Sequence, residues 1–217
     1  MTRQTFDKEL QTLQDSMLAL ESLVENAIVE SVDCLKQRNF EGSRKIIEQD
    51  RVINERRYTI EDEILTLIAL RQPMAGDLRV LSAILAIITE LERIGDYAKG
   101  IGKVNLLIGE KPLIKPIIDL PIMAEKARSM LHRAMDAFIQ RDVELARAIP
   151  KDDDEIDALY EQTYRELITY IMADPHNIEQ ANQLLWVAHN LERSADRVIN
   201  ICERVVFTAT GQLEELD

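Results

Sequence analysis

The sequence predicts an all-α protein built from two tandem three-helix bundles, with six helices in total. Apolar residues recur every three or four positions along most of the chain, turn-forming residues divide it into six segments, and motifs of the first half recur in the second. Aromatic residues make up only 5% of the chain, whereas hydrophobic residues make up 46%. This composition favours long helices packed through aliphatic side chains.

The first three helices are predicted at residues 5–37, 43–70 and 74–108. Asn39 and Gly42 mark the first turn, and Pro73 precedes the third helix, where a proline is well tolerated. Apolar residues of the third helix alternate spacings of four and three, as in coiled-coil packing. This apolar stripe consists of Val80, Ile84, Ile87, Leu91, Ile94, Ala98 and Ile101.

The strongest boundary lies near the middle of the chain, at Pro112, Pro116 and Pro121. Prolines at this density cannot continue a helix, so the predicted domains are residues 1–110 and 117–217. The second half is expected to repeat the plan of the first. Its helices are predicted at residues 122–140, 143–172, with a break near Pro150, and 174–208.

Short motifs of the first half recur in the second half in the same order. The matching pairs are Gln37-Arg38 with Gln140-Arg141, Asp50-x-x-Ile53-Asn54 with Asp153-x-x-Ile156-Asp157, and Leu91-Glu92-Arg93-x-x-Asp96 with Leu191-Glu192-Arg193-x-x-Asp196. The first two pairs lie 103 residues apart and the third pair 100 residues apart. Three ordered matches indicate internal duplication, with three residues lost from a loop of the second half.

The charge and hydropathy exclude several classes of function. A formal net charge of −13 repels the nucleic-acid backbone and anionic membranes. The longest apolar stretch, residues 80–88, is too short for a bilayer, which needs about 20 residues. Residues 1–10 contain no apolar signal-peptide core, so we expect a cytoplasmic protein without membrane insertion. Cys34 and Cys202 form no metal motif and are expected to be small buried hydrophobes in a reducing compartment.

Pairs of acidic residues occupy corresponding places in both halves. Glu92 and Asp96 share a helix face outside the apolar stripe, and Glu192 and Asp196 repeat the pair. The second helix of each half adds further oxygen-bearing side chains: Asp50, Asn54 and Glu61 in the first half, and Asp153, Asp157 and Glu161 in the second. Adjacent faces would give each bundle four or five oxygen ligands for Mg²⁺, Mn²⁺ or iron. The alternative is that these acidic side chains are solvated and bind no ion.

The remaining polar residues suggest no catalytic centre. His132 and His176 have no acidic partner at an obvious ligand spacing, whereas His189 precedes Glu192 by three and is assigned a surface or supporting role. The sequence contains no glycine-rich phosphate loop, GxSxG or HExxH motif, so we expect no enzymatic activity. The third-helix glycines, Gly95, Gly100 and Gly102, are interpreted as points of close helix packing.

Four segments resemble the PhoU family. Residues 72–79 (QPMAGDLR) are similar to its QPxAxDLR segment, and residues 91–96 (LERIGD) to its LERIGD segment. Residues 191–196 (LERSAD) resemble the second copy of that segment, and residues 200–203 (NICE) resemble the NIxE that follows it. The resemblance covers nearly the whole chain.

The resemblance implies a cytosolic homodimer of two three-helix bundles that represses the phosphate-starvation response and modulates phosphate uptake. It implies an adaptor between the ATPase subunit of the Pst phosphate transporter and a sensor histidine kinase. It also implies bound iron, zinc, manganese or magnesium. The metal ligands that it implies are Glu92, Asp96, Asp153, Asp157, Glu192 and Asp196.

The chain departs from the family pattern at three places. Asn54 is an amide where the acidic motif has a carboxylate, which implies weaker metal binding in the first half. Residues 100–103 (GIGK) replace the NIxE-like continuation and place Lys103 close to that site, and residues 194–195 replace Ile-Gly. Two other functions remain alternatives: a ferritin-like metal store or metal-dependent enzyme, and a plain helical scaffold.

Overall fold

The computed structural model describes residues 3–216, and these residues form seven α-helices and no strand. The helices are α1 (Arg3–Gln37), α2 (Phe40–Arg71), α3 (Ala75–Ile108), α4 (Asp119–Gln140), α5 (Val143–Ala148), α6 (Asp153–Ala173) and α7 (Ile178–Thr210). A 3₁₀ turn at Ile149–Asp152 joins α5 to α6, and another at Pro175–Asn177 precedes α7. The predicted fifth helix is therefore α5 and α6 together, and its break at Pro150 is confirmed.

Helix ends follow the capping chemistry of the sequence. The Asn39 side chain accepts a hydrogen bond from the Gly42 N–H at 2.9 Å, so α2 begins three residues earlier than predicted. Helix α4 also begins earlier than predicted, because Pro121 is accommodated in its first turn. Gly211 ends α7 with a φ of 77°, a left-handed conformation that glycine adopts without strain.

Helices α1, α2 and α3 form the first bundle, and α4, α6 and α7 form the second. Every residue of the predicted apolar stripe of α3 is buried. The hydrophobic core continues from one bundle into the other, because α3 packs against α7 and α1 packs against α4. The all-α fold of two three-helix units is therefore confirmed. Within residues 3–216, no helix is long and apolar enough to cross a membrane.

The contact between α3 and α7 reflects the internal duplication. Tyr97 and Arg197 occupy equivalent positions in the two halves, and the Arg197 Nε lies 3.4 Å from the Tyr97 hydroxyl. The Arg197 Nη1 also lies 3.4 Å from Glu90 Oε2. The hydrogen bond with Tyr97 is the largest cause of the raised pKa of Arg197. Equivalent positions thus meet one another between the two halves, as an approximate twofold relation requires.

The third-helix glycines lie where α3 approaches its neighbours. A Cβ atom at Gly95 would lie 3.0 Å from Ile53 Cδ1 of α2, and a Cβ atom at Gly100 would lie 2.9 Å from Asn190 Nδ2 of α7. A Cβ atom at Gly102 would lie 3.3 Å from the Ser43 carbonyl oxygen. The predicted role of these glycines in close helix packing is confirmed.

Candidate metal centres

The first-half site comprises Asp50 and Asn54 of α2 with Glu92 and Asp96 of α3. Lys99 Nζ lies within this site, 2.7 Å from Asp50 Oδ2 and 3.2 Å from Asp96 Oδ1. The hydrogen bond with Asp50 is the largest cause of the raised pKa of Lys99, which stays charged at neutral pH. The site therefore contains a cation supplied by the chain.

The prediction that Lys103 supplies the cation of the first-half site is wrong. Lys103 lies one helical turn beyond Lys99, is exposed, and forms no ion pair with Asp50 or Asp96 in the described structure. The amide of Asn54 donates a hydrogen bond to Asp50 Oδ2 at 3.1 Å. Only Asp50 Oδ1 remains buried without a hydrogen-bond partner among the described residues of this site.

Glu61 and Glu92 lie close to arginine side chains. Glu61 Oε2 lies 3.2 Å from Arg57 Nη2, and Glu92 Oε2 lies 3.8 Å from Arg93 Nε. Burial and then Asp96 raise the pKa of Glu92, and both arginines oppose this shift. Positive charge on neighbouring side chains thus offsets much of the negative charge in the first-half site.

The second-half site comprises Asp153 and Asp157 of α6 with Glu192 and Asp196 of α7. Asp157 stands at the position equivalent to Asn54, and Ile199 stands at the position equivalent to Lys99. The second-half site thus has one more carboxylate than the first-half site and lacks its lysine.

The charged neighbours of the second-half site lie on α7. Arg193 Nη1 lies 3.0 Å from Asp196 Oδ2, and His189 Nδ1 lies 3.3 Å from Glu192 Oε2. The ring of His189 also packs against Trp186, with 5.6 Å between ring centroids. The predicted supporting position of His189 beside Glu192 matches this geometry.

The carboxylates of the second-half site repel one another. Burial raises the pKa of Asp153 to about 7, and Asp157, Asp196 and Glu192 add to this shift. Burial and then Asp196 raise the pKa values of Asp157 and Glu192 as well. The mutual effects indicate that Asp153, Asp157, Glu192 and Asp196 lie within electrostatic range of one another, and a cation among them would be favoured.

Two oxygens of the second-half site are buried and are candidate metal ligands. Asp153 Oδ1 and Glu192 Oε2 have no hydrogen-bond partner among the described residues. Carboxylate oxygens of this kind suit Mg²⁺, Mn²⁺, iron or zinc. Asp157 is exposed, so the site opens to solvent, whereas Glu161 is exposed one turn further along α6 and acts on Asp157 only through repulsion.

The match to a known sequence family follows the same division into halves. The PhoU domain model matches residues 17–104 and 120–205, which places one copy in each half. The chain belongs to the PhoU family. Each PhoU domain contains one of the two carboxylate sites, so the sites are equivalent parts of a duplicated PhoU unit.

PhoU relatives match the chain over nearly its whole length. A protein of Aquifex aeolicus, named phosphate-specific transport system accessory protein PhoU homolog, is 36% identical over 95% of this chain and 93% of its own length. A protein of the same name from Clostridium acetobutylicum is 34% identical over 100% of both chains.

Solved PhoU structures share the fold. The crystal structure of PhoU from Pseudomonas aeruginosa has a TM-score of 0.89 and 30% identity, and it covers 95% of this chain and 100% of that one. The phosphate transport system regulatory protein PhoU from Streptococcus pneumoniae also has a TM-score of 0.89, with 34% identity over 97% of this chain and 100% of that one.

One cluster of this PhoU chain was not predicted from the sequence. His132 of α4 lies beside Glu21 and Glu25 of α1, and His176 Nδ1 lies 2.8 Å from Asp174 Oδ1, so the expectation that these two histidines lack acidic partners is wrong. Among the described residues, Glu21, Glu25 and His132 form the one group of three or more histidine, cysteine or acidic side chains whose ligand atoms all lie within 4.8 Å of one another. The signal in the sequence was the i, i+4 spacing of Glu21 and Glu25 on the apolar side of α1, but only tertiary packing brings them to His132.

Proposed function

We propose that this PhoU chain is a regulatory accessory protein of a phosphate transport system, which represses the phosphate-starvation response and modulates phosphate uptake. The similarity of this chain to named PhoU proteins over its full length supports this function. The Clostridium acetobutylicum relative, 34% identical over 100% of both chains, is named an accessory protein of phosphate-specific transport. The Streptococcus pneumoniae structure with the same fold is described as a phosphate transport system regulatory protein.

Phosphate uptake tests this function directly. Cells that lack the gene are compared with cells complemented by the intact gene, and the initial rate of radiolabelled phosphate uptake is measured in ample phosphate. Loss of the regulator is expected to change the uptake rate, and complementation is expected to restore it. Equal rates in the deleted and complemented strains would contradict a role in uptake.

We further propose that the chain acts in the cytoplasm as a homodimeric adaptor between the transporter ATPase subunit and a sensor histidine kinase. The resemblance of residues 72–79 and 91–96 to PhoU segments supports this assignment. Purified chain is expected to bind each partner separately and to sediment at twice its 24.9 kDa mass. Sedimentation as a monomer would contradict the dimer, and failure to bind both partners would contradict the adaptor.

We also propose that the second-half site binds a divalent or iron ion through Asp153, Asp157, Glu192 and Asp196. Asp153 Oδ1 and Glu192 Oε2, which are buried and have no hydrogen-bond partner among the described residues, support this site. The ion would offset the repulsion among the carboxylates and hold α6 against α7. The first-half residues Asp50, Asn54, Glu61, Glu92 and Asp96 are expected to bind more weakly, because Lys99 competes for the same oxygens.

Metal analysis of protein purified without chelator tests the second-half site. Asp196→Asn is expected to lower Mn²⁺ or iron affinity at least tenfold, since it replaces one of four carboxylates by a neutral amide. Asp154→Asn is the control, because it removes the same charge from an exposed aspartate of α6 that is not one of the four ligands. Equal metal content in the two variants would contradict the assignment of Asp196 as a ligand.

A further inference from the structure

Three polar side chains converge between α1 and α4, away from both carboxylate sites. His132 Nδ1 lies 3.3 Å from Glu25 Oε1 and 3.6 Å from Glu21 Oε1. One ligand atom from each residue lies within 4.8 Å of the other two. Because α1 belongs to the first half and α4 to the second, this group, the α1–α4 cluster, joins the two halves.

The two glutamates lack the donors that normally stabilise buried carboxylates. The Glu21 side chain is only 7% exposed, and no lysine, arginine or backbone N–H of the described residues donates a hydrogen bond to it. Glu25 Oε1 is buried without a hydrogen-bond partner in the same part of the chain. Arg128 acts on Glu25 electrostatically, but its Nε is hydrogen-bonded to Glu125 Oε2 at 3.0 Å.

Uncompensated negative charge in a buried position is costly, so the α1–α4 cluster needs a proton or a cation. Burial and then Glu25 raise the pKa of Glu21 to about 8. A proton on Glu21 would relieve the repulsion between the two glutamates. It would not explain why the Nδ1 atom of His132 lies beside both of them without a good hydrogen bond to either.

The imidazole of His132 is oriented as a metal ligand would be. Asp136 Oδ2 lies 3.8 Å from Nε2 of the ring, and its charge favours the tautomer that carries the proton on Nε2. The lone pair of Nδ1 then points toward the glutamates. His132 Nδ1 lies 3.3 Å from Glu25 Oε1 and 3.6 Å from Glu21 Oε1. These distances are close to the separation of about 3.4 Å between neighbouring ligand atoms around a tetrahedral zinc ion.

We propose that Glu21, Glu25 and His132 bind one divalent transition-metal ion of the zinc class, independently of the two carboxylate sites. Two carboxylates and an imidazole suit Zn²⁺ better than Mg²⁺ or Ca²⁺, which prefer all-oxygen ligands. The His132 side chain is 58% exposed, which leaves a path for the ion and a fourth position for water. A bound ion would link α1 to α4 and thereby the two PhoU domains.

Titration of the intact protein with Zn²⁺, followed by NMR of the histidine rings, tests the proposal. The chain has three histidines, each in a different environment. His132 reports on the α1–α4 cluster, and His189 reports on the second-half site. His176, beside Asp174 at 2.8 Å on the surface, serves as the reference for weak binding.

The His132 ring signals are expected to shift until one equivalent of Zn²⁺ has bound. Glu21→Gln, which keeps the side-chain shape and replaces an ionisable carboxyl ligand by a neutral amide, is expected to weaken this binding at least tenfold. His176→Gln is the control and is expected to leave it unchanged. Glu25→Gln provides a second test, and circular dichroism checks that each variant is folded.

Two results would overturn the proposal. The His132 ring signals could move no more than those of His176, or Glu21→Gln could bind Zn²⁺ as tightly as the wild type at His132. Either result would mean that a proton, on the glutamates or on His132, neutralises the cluster and that it is not a metal site. Shifts of His189 alone would assign zinc binding to the second-half site.

Discussion

Lys99 and Ile199 occupy equivalent positions and give the two carboxylate sites different charges. Lys99 Nζ bridges Asp50 and Asp96, at 2.7 and 3.2 Å, and so provides an internal counter-ion. In the second-half site the equivalent isoleucine provides no charge, and Asp153 Oδ1 remains unpaired. The duplicated unit has therefore diverged at the residues that determine whether a metal ion is needed.

Replacement of Lys99 tests this internal counter-ion. Lys99→Met leaves the buried Asp50 without its cation, and we expect it to lower the free energy of unfolding by about 2 kcal/mol at neutral pH. The raised pKa of Lys99 means that its contribution is fully present at pH 7 and is lost only as pH rises through that pKa. Urea unfolding measures the change. Lys103→Met, on the same helix but exposed, is the control, and equal losses in the two variants would contradict the account.

Asp153 makes stability depend on pH in the opposite sense to an ordinary ion-paired carboxylate. Its pKa is raised from 3.8 to about 7, so between these values the folded state holds a proton that the unfolded state has lost. The wild type is therefore expected to lose stability as pH rises through this range. In the presence of chelator, the stability gained by Asp153→Asn should be greater at about pH 8 than at about pH 5. A gain independent of pH, in urea unfolding, would contradict the raised pKa.

At the residue scale, the spacing that occurs twice predicted that Asp153, Asp157, Glu192 and Asp196 act on one another, as their pKa shifts indicate. Their role as metal ligands stays a prediction. The sequence did not predict Lys99 as the first-half cation, since its position depends on a long side chain that reaches across to Asp50 of another helix. The α1–α4 cluster was missed for a related reason. Whether a glutamate such as Glu21 is buried depends on which helix packs over it.

At the scale of helices, the apolar stripe and the prolines fixed most of the structure of α3 and of the broken fifth helix. Errors were confined to helix ends. Caps and first-turn prolines extend α2 and α4 beyond their apolar patterns, whereas the predicted start of the sixth helix at residue 174 is wrong, because a 3₁₀ turn at Pro175–Asn177 delays α7 to Ile178. Helix α4 is the clearest example, because Pro121 marks a boundary in the sequence but lies inside the first turn of the helix.

Helix α3 approaches α2 closely at Gly95, so a larger side chain at this position is expected to destabilise the contact. Gly95→Ala is expected to lower the free energy of unfolding by about 1 kcal/mol, because the new methyl group would press on the buried, β-branched Ile53. Gly76→Ala is the control. No atom lies within 4 Å of its added Cβ, so we expect a gain of about 0.5 kcal/mol from helix propensity.

A double variant separates the contact at Gly95 from its backbone effect. Ile53→Val removes the Cδ1 atom that lies 3.0 Å from the added Cβ, so it should reduce the cost of Gly95→Ala. Thermal or urea unfolding of the four proteins gives the coupling energy. Strict additivity of the two substitutions would contradict the packing explanation.

At the scale of the molecule, the two PhoU domains share one hydrophobic core. Equivalent residues such as Tyr97 and Arg197 meet between α3 and α7, and α1 packs against α4. The sequence predicted the tandem repeat but not this extent of contact, because apolar positions show which face of a helix is buried and not which helix covers it. The predicted domain limits, 1–110 and 117–217, stay a prediction about sequence units.

Shared packing predicts that the two domains unfold together. The single tryptophan, Trp186, lies in the second half and is 56% exposed, so its fluorescence reports on that half, whereas far-ultraviolet circular dichroism reports on all helices. Urea transitions followed by the two signals are expected to coincide. Two separate transitions would show that the domains are energetically independent.

Expression of a phosphate-starvation reporter is the most direct test of the proposed regulation by phosphate. The reporter is measured in ample phosphate in a strain that lacks the gene and in the same strain complemented with it. The account predicts high expression without the gene and restored repression with it. Full repression in the strain that lacks the gene would contradict the proposed regulator.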